Sequence, residues 1–113
     1  MATLYDLNIT KGSQFSIRFT AQNEDGTPIN LSGHNLRGYA RQNYGGPILV
    51  DLNPIKVAGY ETSGYIDVNL TSIQTSGVPV TQGVYDVELY SSSTSYVEKL
   101  IKGYIEIHPE ATY

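Results

Sequence analysis

Asp86 and Glu88, two carboxylates two residues apart, are the nearest thing in the sequence to an acid–base pair. If residues 83–90 form a strand, both project from one face with their Cα atoms about 7 Å apart. The surrounding run, Gly83-Val84-Tyr85-Asp86-Val87-Glu88-Leu89-Tyr90, alternates apolar and polar residues, which reads as a half-wet strand rather than a catalytic dyad. Asn23-Glu24-Asp25-Gly26 offers three oxygen-bearing side chains to a hard cation such as calcium. It lacks the ligand spacing and the distal glutamate of an EF-hand loop, and Asp-Gly alone accounts for it as a turn. His34 and His108 fall in a turn region and at a strand end. No serine stands at a motif spacing from either histidine, and no Gly-rich loop leads into a helix. Asn8, Asn30 and Asn69 each open an Asn-x-Ser/Thr triplet, read as chance matches in a chain rich in these residues. The sequence therefore predicts no catalytic residues, no cofactor and no metal.

Binding chemistry is better represented. The chain has 10 tyrosines, no tryptophan and only 16% charged residues. Tyrosine carries a large apolar body with one polar tip and is enriched at protein interfaces. Strand alternation places Tyr39, Tyr65, Tyr90, Tyr96 and Tyr104 on outward positions, with Arg37 and Arg41 as polar anchors beside Tyr39. These seven are the candidate protein-contact residues. The competing reading is that tyrosine suits cross-strand pairs on any exposed sheet face. A sugar-binding platform is the smaller alternative, because tryptophan is absent and no polar cluster accompanies the rings.

The elements that must position these side chains are strands. Tyr5-Leu7-Ile9 alternates and is closed by Lys11-Gly12; Phe15-Ile17-Phe19-Ala21 has the cleanest alternation in the chain. A strand over 35–42 has a thin inner face of Leu36, Gly38 and Ala40. Residues 48–52 and 56–60 are weaker, separated by Asn53-Pro54, and Tyr65 to Leu70 is strong. Thr71 followed by Gln74 predicts a capping box and one helical turn at most. The closing hairpin runs from Gly83, pauses at Ser91-Ser92-Ser93, and continues from Tyr96 to Ile107 before Pro109 stops it. Val97, Ile101, Gly103, Ile105 and Ile107 share a parity there, and Lys99-Leu100 breaks it, as a bulge would. The expected core is Leu7, Ile9, Phe15, Ile17, Phe19, Leu36, Ile66, Val68, Leu70, Tyr85, Val87, Leu89, Ile101, Ile105 and Ile107. Short strands separated by turn chemistry predict an all-β sandwich of roughly seven to nine strands.

Composition bounds the rest. The 113 residues suggest one domain over 1–113. There is no cysteine, so no disulfide or thiolate metal site is available. A net charge of −4 with seven scattered basic residues predicts no nucleic-acid partner. No apolar run approaches the ~20 residues of a membrane span, and the N-terminus does not read as a secretion signal.

Several segments resemble the small immunoglobulin-like virion modules of tailed bacteriophages, among them the N-terminal module of baseplate upper proteins. Tyr5 to Phe15 is similar to their opening strand, Gly-polar turn and strand. Asp25-Gly26-Thr27-Pro28-Ile29-Asn30-Leu31-Ser32-Gly33 resembles their D-G-x-P-x-D-L-S/T-G stretch, with Asn30 where aspartate is usual. Gly83 to Leu89 resembles G-x-Y-x-Y-D-L-E. Val97 to Gly103, followed by Ile105 to Thr112, is similar to V-x-R-L-L-x-G-x-V-x-V-x-P-E-V-T. The resemblance implies an immunoglobulin-like antiparallel sandwich with a structural, non-enzymatic role. It implies a place in the virion, assembled in the bacterial cytoplasm, on the tail, neck or baseplate. The implied partners are other virion proteins and further copies of this chain. Decoration of the capsid lattice, or a soluble carbohydrate- or protein-binding module, are the alternatives.

Overall fold

The structure is a computed structural model that describes residues 3–91 and 96–109. The expected serine pause at Ser92-Ser93 and the residues after Pro109 lie outside the described residues. Among the described residues nine strands form two sheets: β1 (Thr3–Leu4), β2 (Leu7–Thr10), β3 (Phe15–Thr20), β4 (Asn35–Arg41), β5 (Ile48–Asp51), β6 (Ile55–Lys56), β7 (Tyr65–Leu70), β8 (Gln82–Ser91) and β9 (Tyr96–His108). The larger sheet has the order β1-β9-β8-β4-β5, with β2 also on β9; the smaller has the order β3-β7-β6. β1 and β2 run parallel to β9, and every other pairing is antiparallel. This is the strand arrangement of an immunoglobulin-like sandwich, with the N-terminal strand docked on the last one.

The two inner faces close on Leu7, Ile9, Phe19, Ile66, Val68, Leu70, Tyr85, Val87, Leu89, Ile101, Ile105 and Ile107, all expected from alternation and all buried. Three expected core residues, Phe15, Ile17 and Leu36, are only partly covered. Phe15 and Ile17 belong to β3, an edge strand of the three-stranded sheet, so among the described residues one flank of each meets no neighbouring strand. Leu31 and Leu52 complete the core from outside the strands, each held by a main-chain bond: Leu31 N–H to the Glu61 carbonyl (2.9 Å) and Leu52 N–H to the Gly38 carbonyl (3.0 Å).

The expected bulge is present. Val87 pairs with Ile101 but Glu88 pairs with Lys99, leaving Leu100 as the extra residue of β9. Leu100 and Ile101 are consequently both buried. The same shift reverses the parity of the strand before it. Val97, expected inside, is exposed on the outer face opposite Tyr90.

The short helix α1 (Ser72–Ser76) carries the capping box: Thr71 Oγ1 accepts from Gln74 N–H, and Gln74 Oε1 accepts from Thr71 N–H. Its buried Thr75 donates to the Ser13 carbonyl (2.8 Å) and accepts from Gly12 N–H (3.1 Å), tying the helix to the β2–β3 turn. A 3-10 turn at Glu61–Ser63, which the sequence reading did not anticipate, leads into β7. β6 is only two residues long, shorter than the segment 56–60 expected there.

The N-terminal strand is interrupted where it crosses β9. β1 and β2 keep one register on β9; Tyr5 and Asp6 lie between the two strands, with Tyr5 N–H still donating to the Lys102 carbonyl at 3.0 Å. A Cβ on Gly103 would stand 2.1 Å from the Tyr5 carbonyl oxygen, so glycine is required for this close approach. Side chains complete the gap. The buried Tyr85 hydroxyl donates to the Tyr5 carbonyl, and the Asp6 carboxylate accepts from Tyr104 N–H at 3.0 Å.

Candidate docking surface

The outer face of the larger sheet is built from alternate residues of β4, β8 and β9. Directly opposed residues share a face, so Tyr39 stands beside Asp86, Arg37 beside Glu88 and Tyr104 beside Val84. Charges on this face meet one another across strands. Arg37 Nε donates to Glu88 Oε1 at 2.9 Å, and its guanidinium lies 4.6 Å from the Tyr90 ring centre. Lys99 Nζ reaches Asp86 at 3.0 Å and lies 5.8 Å from the Tyr44 ring centre. The hydrogen bond to Asp86 raises the Lys99 pKa above its ordinary value. Arg41 donates to the Gly46 carbonyl (2.8 Å) and sits 5.7 Å from the Tyr39 ring centre. Asp86 and Glu88 therefore each face a cation of their own, the arrangement of a solvated strand face.

The five candidate tyrosines do not form one surface. Tyr39, Tyr90 and Tyr104 share the outer face of the larger sheet. Six residues of β8 separate the level of Tyr104 from Tyr90, roughly 20 Å at the usual rise. Tyr65 is outward as expected, but on the smaller sheet, where Arg18 lies 5.5 Å from its ring and bridges to Asp67 through two bonds of 2.7 and 3.0 Å. Those bonds hold the Asp67 carboxyl below its ordinary pKa. Tyr96 corrects the expectation. Because Leu100 shifts the register, Tyr96 is opposite Ser91 on the inward parity, at the end of the sandwich. There it leans on the His34 ring at 5.3 Å and donates to Glu98, a bond that raises the Tyr96 pKa.

Arg37 and Arg41, expected as anchors for a partner, are engaged within the chain by the contacts above. The least covered large apolar side chains on this side are Leu4 (73% exposed) and Tyr104 (68%). They line one shallow depression with Tyr5, Asp6 and Gly103, over the crossing of the N-terminal strand and β9. Sequence reasoning named Tyr104 and missed Leu4, whose outward position follows from its pairing with Lys102. It also missed Tyr44, which lies in a loop where alternation gives no direction.

The other chemical candidates resolve into structure. Asp25 Oδ1 accepts from the Thr27 hydroxyl (2.6 Å) and Thr27 N–H (3.0 Å), which lowers its pKa, while Gly26 adopts φ +88°. This is the expected Asp-Gly turn. His34 touches Tyr96 at the start of β9, and His108 ends that strand with a 3.0 Å contact to Asn8. Twelve residues of extended chain put the two histidines roughly 40 Å apart. No family model matches the sequence, and no curated protein matches it.

Proposed function

We propose that the chain is a non-enzymatic structural module of a tailed-phage virion. It docks on the tail, neck or baseplate among other virion proteins, through the outer face of its larger sheet around Leu4 and Tyr104. One observation carries this reading: among the described residues, several of those behind the resemblance occupy framework positions of the sandwich. Asp25-Gly26 makes the turn after β3, and Leu31 enters the core from the segment that follows. Tyr85 clasps the N-terminal strand from β8. Leu100 forms the bulge of β9 and Gly103 the crossing. The self-paired charges of the outer face suit a rigid platform that a neighbour covers, since they need no partner to be neutralised.

The test is incorporation. Leu4→Ser with Tyr104→Ser removes the exposed apolar pair without touching the core. A folded double variant that is lost from particles supports docking through this face; unchanged incorporation removes the face from the proposal. Antibody-gold labelling of the particles distinguishes the tail, neck and baseplate from the head.

A further inference from the structure

β3 is a sheet edge with an open ladder. Ala21 N–H donates to the Gly64 carbonyl at 2.8 Å, and this pair continues the β3–β7 register. Hydrogen-bonded pairs alternate along an antiparallel ladder, so Phe15, Ile17 and Phe19 bond to β7. The N–H and C=O groups of Ser16, Arg18 and Thr20 point the other way. Among the described residues no strand lies there, because β1 and β2 both pair with β9.

The remaining edges carry the devices that discourage strand addition. β5 is four residues long, lies between Pro47 and Pro54, and meets a register shift on β4. β6 has two residues directly after Pro54. β1 and β2 are short and interrupted at Tyr5-Asp6. β3 has six residues with no proline, glycine, lysine or bulge, and its inner Phe15 and Ile17 are only partly covered.

The apolar positions of this edge read the same in both directions. Phe15-Ser16-Ile17-Arg18-Phe19 is palindromic about Ile17 on its inner side. We infer that β3 pairs antiparallel with β3 of a second copy, about a two-fold axis through Ile17. This rests on the reading of the chain as a docking module and names one of its partners as itself. In this register Ser16 and Arg18 of one copy exchange main-chain bonds with Arg18 and Ser16 of the other, about four bonds in all. Ile17 meets its own counterpart and Phe15 meets Phe19, in the non-hydrogen-bonded pairs where side chains approach closest. Centring the axis on Arg18 would oppose like charges, which is unfavourable. The two three-stranded sheets then become one continuous sheet.

The test is sedimentation equilibrium of the purified chain over micromolar to millimolar concentrations. The wild type forms dimers. Ser16→Pro, whose N–H faces away from β7, leaves the native ladder intact and abolishes the dimer. Two charge variants keep the register testable if the proline variant fails to fold. Ser16→Glu, facing Arg18 of the other copy twice, tightens the dimer roughly 2- to 30-fold, and Ser16→Lys weakens it by a similar factor. A wild type that stays monomeric throughout, or a dimer indifferent to the charge at position 16, overturns the inference. Either result leaves the virion role standing, since that is read from incorporation into particles.

Discussion

Tyr85→Phe isolates the clasp between the sandwich and its N-terminal strand. Tyr85 is buried to 1% exposure and its hydroxyl donates to the Tyr5 carbonyl. The ring stays in place in phenylalanine, so the loss is the hydrogen bond alone. Tyr5 is itself half-exposed, so water replaces part of what its carbonyl loses, and the cost at pH 7 is about 1 kcal/mol. Burial pushes the Tyr85 hydroxyl well above its ordinary pKa, with the Asp6 charge adding to the rise. The folded pKa lies above the unfolded one, so the stabilisation is full below about pH 10 and is lost as pH rises beyond it. In the wild type the unfolded chain releases this proton and the folded chain retains it. By pH 11 this one group lowers wild-type stability by about 1.4 kcal/mol, and the phenylalanine variant is spared that loss. Urea unfolding followed by far-UV circular dichroism at intervals from pH 7 to 11 measures the difference. The variant is less stable at pH 7, and the gap closes by about pH 11. A gap that stays constant from pH 8 to 11 would refute the buried hydroxyl and with it the clasp.

Phe19→Ala costs about 3–5 kcal/mol, and Phe15→Ala distinctly less because it lies at the open edge; equal losses in urea unfolding would contradict the β3 environment. Gly103→Ala drives a methyl group into the Tyr5 carbonyl, so the N-terminal strand detaches or stability falls by about 1–3 kcal/mol. Hydrogen exchange at Leu7 and Ile9 reads that detachment, and unchanged protection in the variant argues against the crossing. Arg37→Ala breaks a partly exposed pair with Glu88 and changes stability by under about 1 kcal/mol; a larger loss would mean the outer face contributes to the fold as well as covering it.

The sheet pattern was readable because alternation has a period of two wherever one face is buried. β3, β7 and β8 start and stop within a residue or so of where their apolar positions and turns place them. The bulge was readable too, since Leu100 and Ile101 are adjacent apolar residues in an alternating strand. Its consequence was not. A parity counted from Ile101 through the bulge puts Val97 inside and Tyr96 outside, and the structure reverses both. Leu31 and Leu52 were missed because a core residue in a loop has no periodic neighbours to betray it. For the docking surface, alternation gave outward direction correctly for Tyr39, Tyr65, Tyr90 and Tyr104. It could not say which sheet each strand joins, and Tyr65 belongs to the smaller one. Nor does local sequence show that Arg37 and Arg41 engage Glu88 and Gly46, contacts that depend on cross-strand register and loop closure.

The proposed role makes this sandwich a built-in part of a phage particle. Quantitative mass spectrometry of density-purified particles of a phage that encodes the chain tests it most directly. The chain is expected to copurify at a fixed ratio to the tail proteins, in a copy number consistent with tail, neck or baseplate symmetry, and to resist a high-salt wash. A chain found only in the soluble fraction of infected cells, absent from intact particles, would contradict it.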